Sequence, residues 1–365
     1  MRRTLLAAAA SLLVACSILT SFDGIAPRDM SVEASREAAA DGALGDATAQ
    51  GCTHARWPDV PPGADDGRDI GQLVTAVTQL HVVGPINEGR SQGFDLDQLC
   101  TCPEAPSCVG AMPGAPCDVP ETGVDNAGEN LFRTLAGAGV SLDDTGLLTG
   151  IQQGQYGVVI RIEGYDGERD DPSVKVAFFN AVTVNGDGGV PRNDGTDSWT
   201  LDTESLLDNR FPTYFSSRAY VSGGILVADF VRLVLRARIP SAPKRFSLVQ
   251  LELQSAHLVA RIGPRTAKGA SLEEGTIAGR TPAAAILAQG MRSGACRDSG
   301  AYEALKPLVC ASRDLALDPA RDGRDQPCDA LSLAVGFAAD PALVAPGSAS
   351  RTDDMPCPMV ADDCP

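Results

Sequence analysis

The clearest signal along the chain is a two-residue alternation between residues 146 and 263. Val158, Ile160 and Ile162 alternate with Val159, Arg161 and Glu163, and Val174, Val176 and Phe178 alternate with Lys175, Ala177 and Phe179. Val231, Leu233 and Leu235 alternate with Arg232, Val234 and Arg236, and Val249, Leu251 and Leu253 with Gln250, Glu252 and Gln254. Period two sends successive side chains to opposite faces, so these segments read as strands packed on one side and wet on the other. Tyr165 to Pro172 and Asn185 to Asp197 are rich in Gly, Asp and Asn and read as turns. Few helical patterns interrupt the series. The predicted fold is therefore mainly β, an antiparallel sandwich of jelly-roll type with a few short helices and disulfide-stapled flanks.

Three helices are predicted. The first lies between Glu129 and Ala138, with Leu131, Phe132 and Leu135 on one face. Another starts after Thr281 and Pro282, runs over Ala283 to Gln289 and stops at Gly290. The last runs from Tyr302 to Arg313, with Pro307 as an obstacle inside it. Ala330 to Phe337 is an apolar stretch compatible with either type.

The N-terminus has the pattern of an export signal. Arg2 and Arg3 precede an uncharged run from Leu5 to Ala15, too short to span a bilayer. The run ends in Leu13-Val14-Ala15-Cys16, which looks like the lipobox of bacterial lipoproteins. That resemblance implies cleavage after residue 15 and acylation of Cys16, hence a membrane partner through the lipid. Ser17 in place of Asp points to the outer membrane under the enterobacterial sorting rule. The expected division is a signal peptide over 1–15, a lipid-anchored flexible tether over 16–51, and a stapled domain over 52–365. Within that domain, 52–140 is rich in Cys and turns, 141–290 is the β core, and 291–365 is again Cys-rich. No transmembrane helix is predicted.

Cysteine usage refines the picture. Eleven Cys are many for a reduced protein, which indicates an oxidising compartment. Setting Cys16 aside leaves Cys52, Cys100, Cys102, Cys108 and Cys117 early and Cys296, Cys310, Cys328, Cys357 and Cys364 late. Five is odd, so full pairing requires at least one bridge between the two groups. The connectivity is open. A thiolate metal site on Cys52-Thr53-His54 and Cys100-Thr101-Cys102 is the rival reading, although neither has the spacing of a zinc site. The net charge of −17 excludes nucleic acid as a natural partner.

The lipobox, Gly93-Phe94-Asp95-Leu96-Asp97 leading into Cys100-Thr101-Cys102, Gly123-Val124-Asp125-Asn126, and a β-rich middle ending in Cys328-Asp329-Ala330 together resemble a group of uncharacterised lipoproteins abundant in myxobacteria and their relatives. The resemblance covers most of the mature chain. It implies envelope localisation and single-domain character, and it carries over no catalytic residues.

Chemistry is otherwise sparse. The three His are His54, His81 and His257, none within a catalytic or metal motif, and no nucleophile elbow, zincin motif or Walker loop is present. Asp166, Glu168, Asp170 and Asp171 share one loop and read as a solvated turn more readily than as a glycosidase pair. Calcium is the inorganic partner the pattern favours, since it wants six to eight oxygens. Its candidate ligands are Asp95, Asp97, Asp125 and Asn126, and the loop holding Asn185, Asp187, Asn193, Asp194 and Asp197. The competing reading is that these residues simply form turns. Trp199 is the best candidate for a glycan platform, followed by Trp57, Tyr165 and Tyr214, with a core role as its alternative. The expectation is an envelope lipoprotein with a non-enzymatic binding or surface-structural role, toward a glycan or another envelope protein. The alternative is an extracellular carbohydrate-active hydrolase or glycan-binding module.

Overall fold

The computed structural model describes residues 52–64, 67–82, 92–101, 107–109, 118–137, 144–186, 189–242, 245–323, 325–350 and 356–365. The expectations for Cys16, the signal peptide and the tether, Cys102, Cys117 and Asp187 lie outside them.

Eight antiparallel strands follow one another around the fold. They are β1 (Leu73–His81), β2 (Gly157–Glu163), β3 (Asp171–Val184), β4 (Tyr214–Ser222), β5 (Ile225–Ala242), β6 (Arg245–Ile262), β7 (Leu272–Pro282) and β8 (Ala330–Pro341). Each pairs with the next along the chain, and β1 pairs with β8 from Thr75↔Pro341 to His81↔Gly336. The sheet thus closes on itself as an up-and-down barrel, which corrects the sandwich. Closure rests on pairings that strand periodicity does not reveal, such as Asp171↔Val221 and Phe178↔Tyr214 between β3 and β4. A barrel removes the unpaired edges that an open sheet must protect.

The inward side chains fill the barrel as a packed core. Val158, Ile160, Ile162, Val176, Phe178, Leu251, Leu253, Val335 and Phe337 belong to one buried cluster. Eight strands leave an interior just wide enough for such side chains. The outer wall of β5 and β6 carries Asp229, Arg232, Gln250, Glu252 and Gln254, so apolar-in and polar-out is the reverse of a lipid-facing barrel. The expected inward trio of β5 holds for Leu233 and Leu235. Val231 instead is 86% exposed, because the inward parity shifts between Phe230 and Leu233. Among the described residues, no helix is long and apolar enough to cross a membrane.

Two further strands, Ser198–Asp202 and Leu343–Ala349, pair in parallel and extend the sheet from the C-terminal half of β3. Beneath this flap, Val159, Ala177, Phe179, Trp199 and Leu201 form a second apolar cluster. Trp199 is 2% exposed, which corrects its reading as a glycan platform. Its ring fills space left by Gly157, where a Cβ would fall 2.5 Å from it.

Among the described residues four α-helices accompany the barrel: α1 (Ala127–Gly137), α2 (Asp144–Gln152), α3 (Ala283–Arg292) and α4 (Gly300–Ala311). Helix α2 touches β1 and β5 across the barrel and so caps one end. Gly290 does not stop α3; the helix continues to Arg292, and Leu305 of α4 occupies the place a Cβ would take. Pro307 lies inside α4, whose first turn is capped by Ser299 accepting from the Tyr302 amide. The ambiguous apolar stretch is strand β8.

Among the described residues four disulfides are formed: Cys52–Cys100, Cys108–Cys328, Cys296–Cys357 and Cys310–Cys364. Cys108–Cys328 joins the early group to the late group across 220 residues, as parity requires. The two late bridges pin the C-terminal tail against α3 and α4.

Candidate metal centre

The early flank lies on the outer face of β7 and β8. Two segments that the sequence brings to notice separately meet there. Phe94 and Asp125 form an isolated antiparallel bridge, with the Asp125 amide donating to the Phe94 carbonyl at 3.0 Å. Two glycines make the approach feasible. A Cβ on Gly93 (φ +133°) would fall 2.9 Å from Val124, and one on Gly123 (φ +66°) would fall 2.8 Å from the Cys52 sulfur.

The barrel fixes this bridge from below. Asn126 Oδ1 accepts from the Ala334 amide, and its Nδ2 donates to the Gln92 carbonyl. Arg280 of β7 is 2% exposed and donates to the Leu96 carbonyl at 2.9 Å while holding Asp322 with both terminal nitrogens at 2.6 Å. Ser332 of β8 donates to Asp314 and accepts from the Ala127 amide.

Three carboxylates converge in this setting. Asp95, Asp97 and Asp125 are 2%, 9% and 1% exposed. One oxygen from each lies within 4.8 Å of the other two. Every one of the three spends a single oxygen on the protein. Asp95 Oδ2 meets His54 Nδ1, Asp97 Oδ1 accepts from the Leu99 amide at 2.8 Å, and Asp125 Oδ2 accepts from the Leu96 amide at 2.6 Å. Among the described residues, nothing donates a hydrogen bond to the other oxygens, Asp95 Oδ1, Asp97 Oδ2 and Asp125 Oδ1, which are buried. Buried acceptors are rarely left unmet.

Asp118 and Asp314 add to the negative charge. Asp118 accepts from the Thr101 amide and hydroxyl at 2.7 and 2.6 Å and lies against Asp125. Burial pushes Asp97 up to about 8, helped by the charges of Asp118 and Asp95. Burial raises Asp118 as well, and it lifts Asp125 well above the usual carboxylate range, with Asp97, Asp118 and Asp314 adding to the effect. Asp314 is pushed up to about 7 by burial, although Ser332 opposes the shift by hydrogen bonding. Such a cluster either retains protons or takes up a cation.

The donor set selects among cations. All three free ligands are carboxylate oxygens, which suit a hard ion. Oxygens within 4.8 Å of one another fit a shell of about 2.3–2.6 Å radius, the calcium range. A soft thiolate site does not form. Cys52, His54, Asp95 and Cys100 are close together, but Cys52 and Cys100 are joined as a disulfide, which consumes both thiolates.

The remaining calcium candidates do not join this group. Asn126 is committed to capping and docking. Asp197 lies in the other loop, where it accepts from the Arg192 and Asn193 amides and from Asn185 Nδ2. Asp194 is exposed and accepts from Thr196. Asp118, Asp314 and Arg280 escape a sequence reading because they come from distant segments, and His54 is noticed there only as a soft-ligand candidate. The local hint, an Asp beside Cys117, resembles many other acidic positions in the chain. The acidic loop at 166–171 is a hydrogen-bonded turn, with Asp166 and Glu168 facing Arg68. Trp57 stacks on His257 with ring centroids 3.8 Å apart, and Tyr165 and Tyr214 are buried. Compared with known proteins, the chain matches no family model, no curated protein and no solved structure.

Proposed function

We propose that this chain is a lipid-anchored envelope protein whose barrel is locked by a calcium-class cation, and that its task is binding or surface structure rather than catalysis. The observation that carries the cation is the oxygen accounting: three buried carboxylates each keep one oxygen without a donor, and those residues converge within 4.8 Å. A divalent ion would offset the charge and satisfy all three. Asp95, Asp97 and Asp125 are its ligands, Asp118 is the adjacent charge, and His54 and the Leu96 and Leu99 amides hold the carboxylates in place.

The ion's structural role follows from where those ligands reside. Asp95 and Asp97 belong to one segment and Asp125 to another, and both segments dock on β7 and β8. Binding would fasten the early flank to the barrel wall beside the Cys108–Cys328 bridge. The lipobox and the disulfides support an oxidising, extracytoplasmic setting. Modules in such settings bind calcium with Kd near 10⁻⁴–10⁻³ M.

Thermal melts of the full chain test this. Calcium at about 100 times Kd adds roughly 2.7 kcal/mol, which is on the order of 5 °C for a domain of this size. Magnesium should do less, because it prefers shorter bonds and retains water. Identical midpoints in calcium and in chelator would remove the cation from the account.

A further inference from the structure

A second site lies at the end of the barrel capped by α2. Strand β4 begins at Tyr214, opposite Phe178, so beyond Phe178 no strand of the described residues stands between β3 and β5. Asn180 spans the gap, donating from Nδ2 to the Val234 carbonyl at 2.9 Å and accepting at Oδ1 from the Arg236 amide at 2.8 Å. Beyond this clasp a cavity of about 530 Å³ opens between β3, β5, β6 and the C-terminus of α3. That volume suits a ligand of mono- or disaccharide size.

Arginine dominates its chemistry. Arg236, Arg238 and Arg292 line it together with Asp202 and Glu204. Both acids are already engaged: Arg236 pairs with Asp202 at 3.1 Å and also with Glu204. Even so, Arg236 Nε is buried without an acceptor among the described residues. Arg292 is half-buried, and among the described residues no carboxylate lies within ion-pair distance of it. The neighbouring Glu252 is held by Arg232 at 2.8 and 2.9 Å. Burial and the Arg236 charge push the Arg292 guanidinium below its ordinary range, and the charges of Glu252 and Glu204 offset this only in part. The α3 dipole favours a cation in its last turn but supplies no anion across the cavity.

We propose that this cavity binds a sugar-sized anion, with its carboxylate or phosphate held by Arg292 and Arg236. An anion there would relieve the repulsion between two guanidiniums and supply an acceptor where one is lacking. Asp202, Glu204, Gln155 and Gln250 would face hydroxyl groups. The net charge of −17 opposes anions at long range. Screening over about 8 Å at physiological salt leaves the local guanidiniums to decide. The site shares no residue with the carboxylate cage and does not depend on it.

The test is calorimetric titration of the full chain with glucuronate, glucose 6-phosphate and glucose, in calcium-free and in calcium-containing buffer. At least one anionic sugar should bind at least tenfold more tightly than glucose, and raising salt from 50 to 500 mM should weaken that binding. Preference for glucuronate would assign a carboxylate ligand, and preference for glucose 6-phosphate a phosphate ligand. Arg292→Gln should lower the affinity at least tenfold with an unchanged circular dichroism spectrum, whereas Arg133→Gln, at an exposed position of α1, should not. If Arg292→Gln fails to fold, the salt dependence and the contrast with glucose in the unaltered chain still decide. Equal binding of charged and neutral sugars, no binding of either anion, or unchanged affinity in a folded Arg292→Gln would overturn the proposal.

Discussion

Two acidic regions of this molecule share a composition and differ in what their oxygens do. The loop from Asn185 to Asp197 and the flank containing Asp95, Asp97 and Asp125 are both rich in Gly, Asp and Asn. In the loop, Asp197 accepts from two amides and one side-chain amide, so both its oxygens are occupied. It is an ordinary turn former with its charge spread over local N–H dipoles. In the flank, each of three carboxylates has one oxygen fixed by the protein and one left over. The difference is one of geometry. The loop folds on itself, so its donors are near at hand. The flank joins two segments over a barrel wall, so its carboxylates face each other. Acidic residues mark a cation site when their lone pairs are not already spent.

The largest expected effect comes from freeing the flank. Converting Cys108 and Cys328 to Ser opens a 220-residue loop. The chain-entropy model assigns such a closure on the order of 5 kcal/mol. Denaturant melts should show a loss near that size, together with weaker calcium binding, since the bridge lies beside Asp314. An unchanged calcium affinity would show that the cage holds its shape without the bridge.

Next comes a direct exchange between the regions. Asp125→Asn should abolish the calcium-induced rise in melting temperature while leaving the chelated protein equally or more stable, because a buried charge is removed. Asp197→Ala should cost about 1–3 kcal/mol through lost turn hydrogen bonds and leave the calcium response intact. The reverse pattern would move the cation to the loop.

The smallest effect is the pH dependence. The carboxyls of Asp97 and Asp314 are raised in the folded state, to about 8 and about 7. Between the ordinary carboxylate range and those values, the folded chain binds more protons than the unfolded one. The contribution of these two carboxyls to stability without calcium is therefore fullest below the ordinary carboxylate range and is lost as pH rises through 7 to 8. Calcium competes with those protons, so its stabilisation should grow over the same interval. Melts at pH 6 and 8.5, with calcium and with chelator, check both signs. A calcium effect that shrinks at pH 8.5 would contradict the cage.

Much of the fold was readable from alternation. β2, β3, β5 and β6 carry it over long runs, and α1 and α3 carry helical stripes. Closure into a barrel was not readable, because it depends on which edges meet. Strands β1 and β7 mix buried Thr75, Arg280 and Thr281 with apolar residues, which blurs their period. The parity shift at Val231 is likewise invisible to a strict two-residue rule. In the site, Asp95, Asp97 and Asp125 were identifiable as acidic turn residues beside cysteines. Their convergence was not, since the Phe94–Asp125 bridge is long-range. Trp199 shows the opposite lesson: flanking Asp197 and Ser198 suggest exposure, yet Gly157 on a distant strand gives its ring a buried place.

The proposed cage holds one divalent ion on Asp95, Asp97 and Asp125. Calorimetric titration of calcium into the chelator-stripped full chain at pH 8 measures it most directly. One calcium per chain should bind, and binding should be lost in Asp97→Asn and in Asp125→Asn and retained in Asp197→Ala. Absence of saturable calcium binding, or binding that survives both cage substitutions, would contradict it.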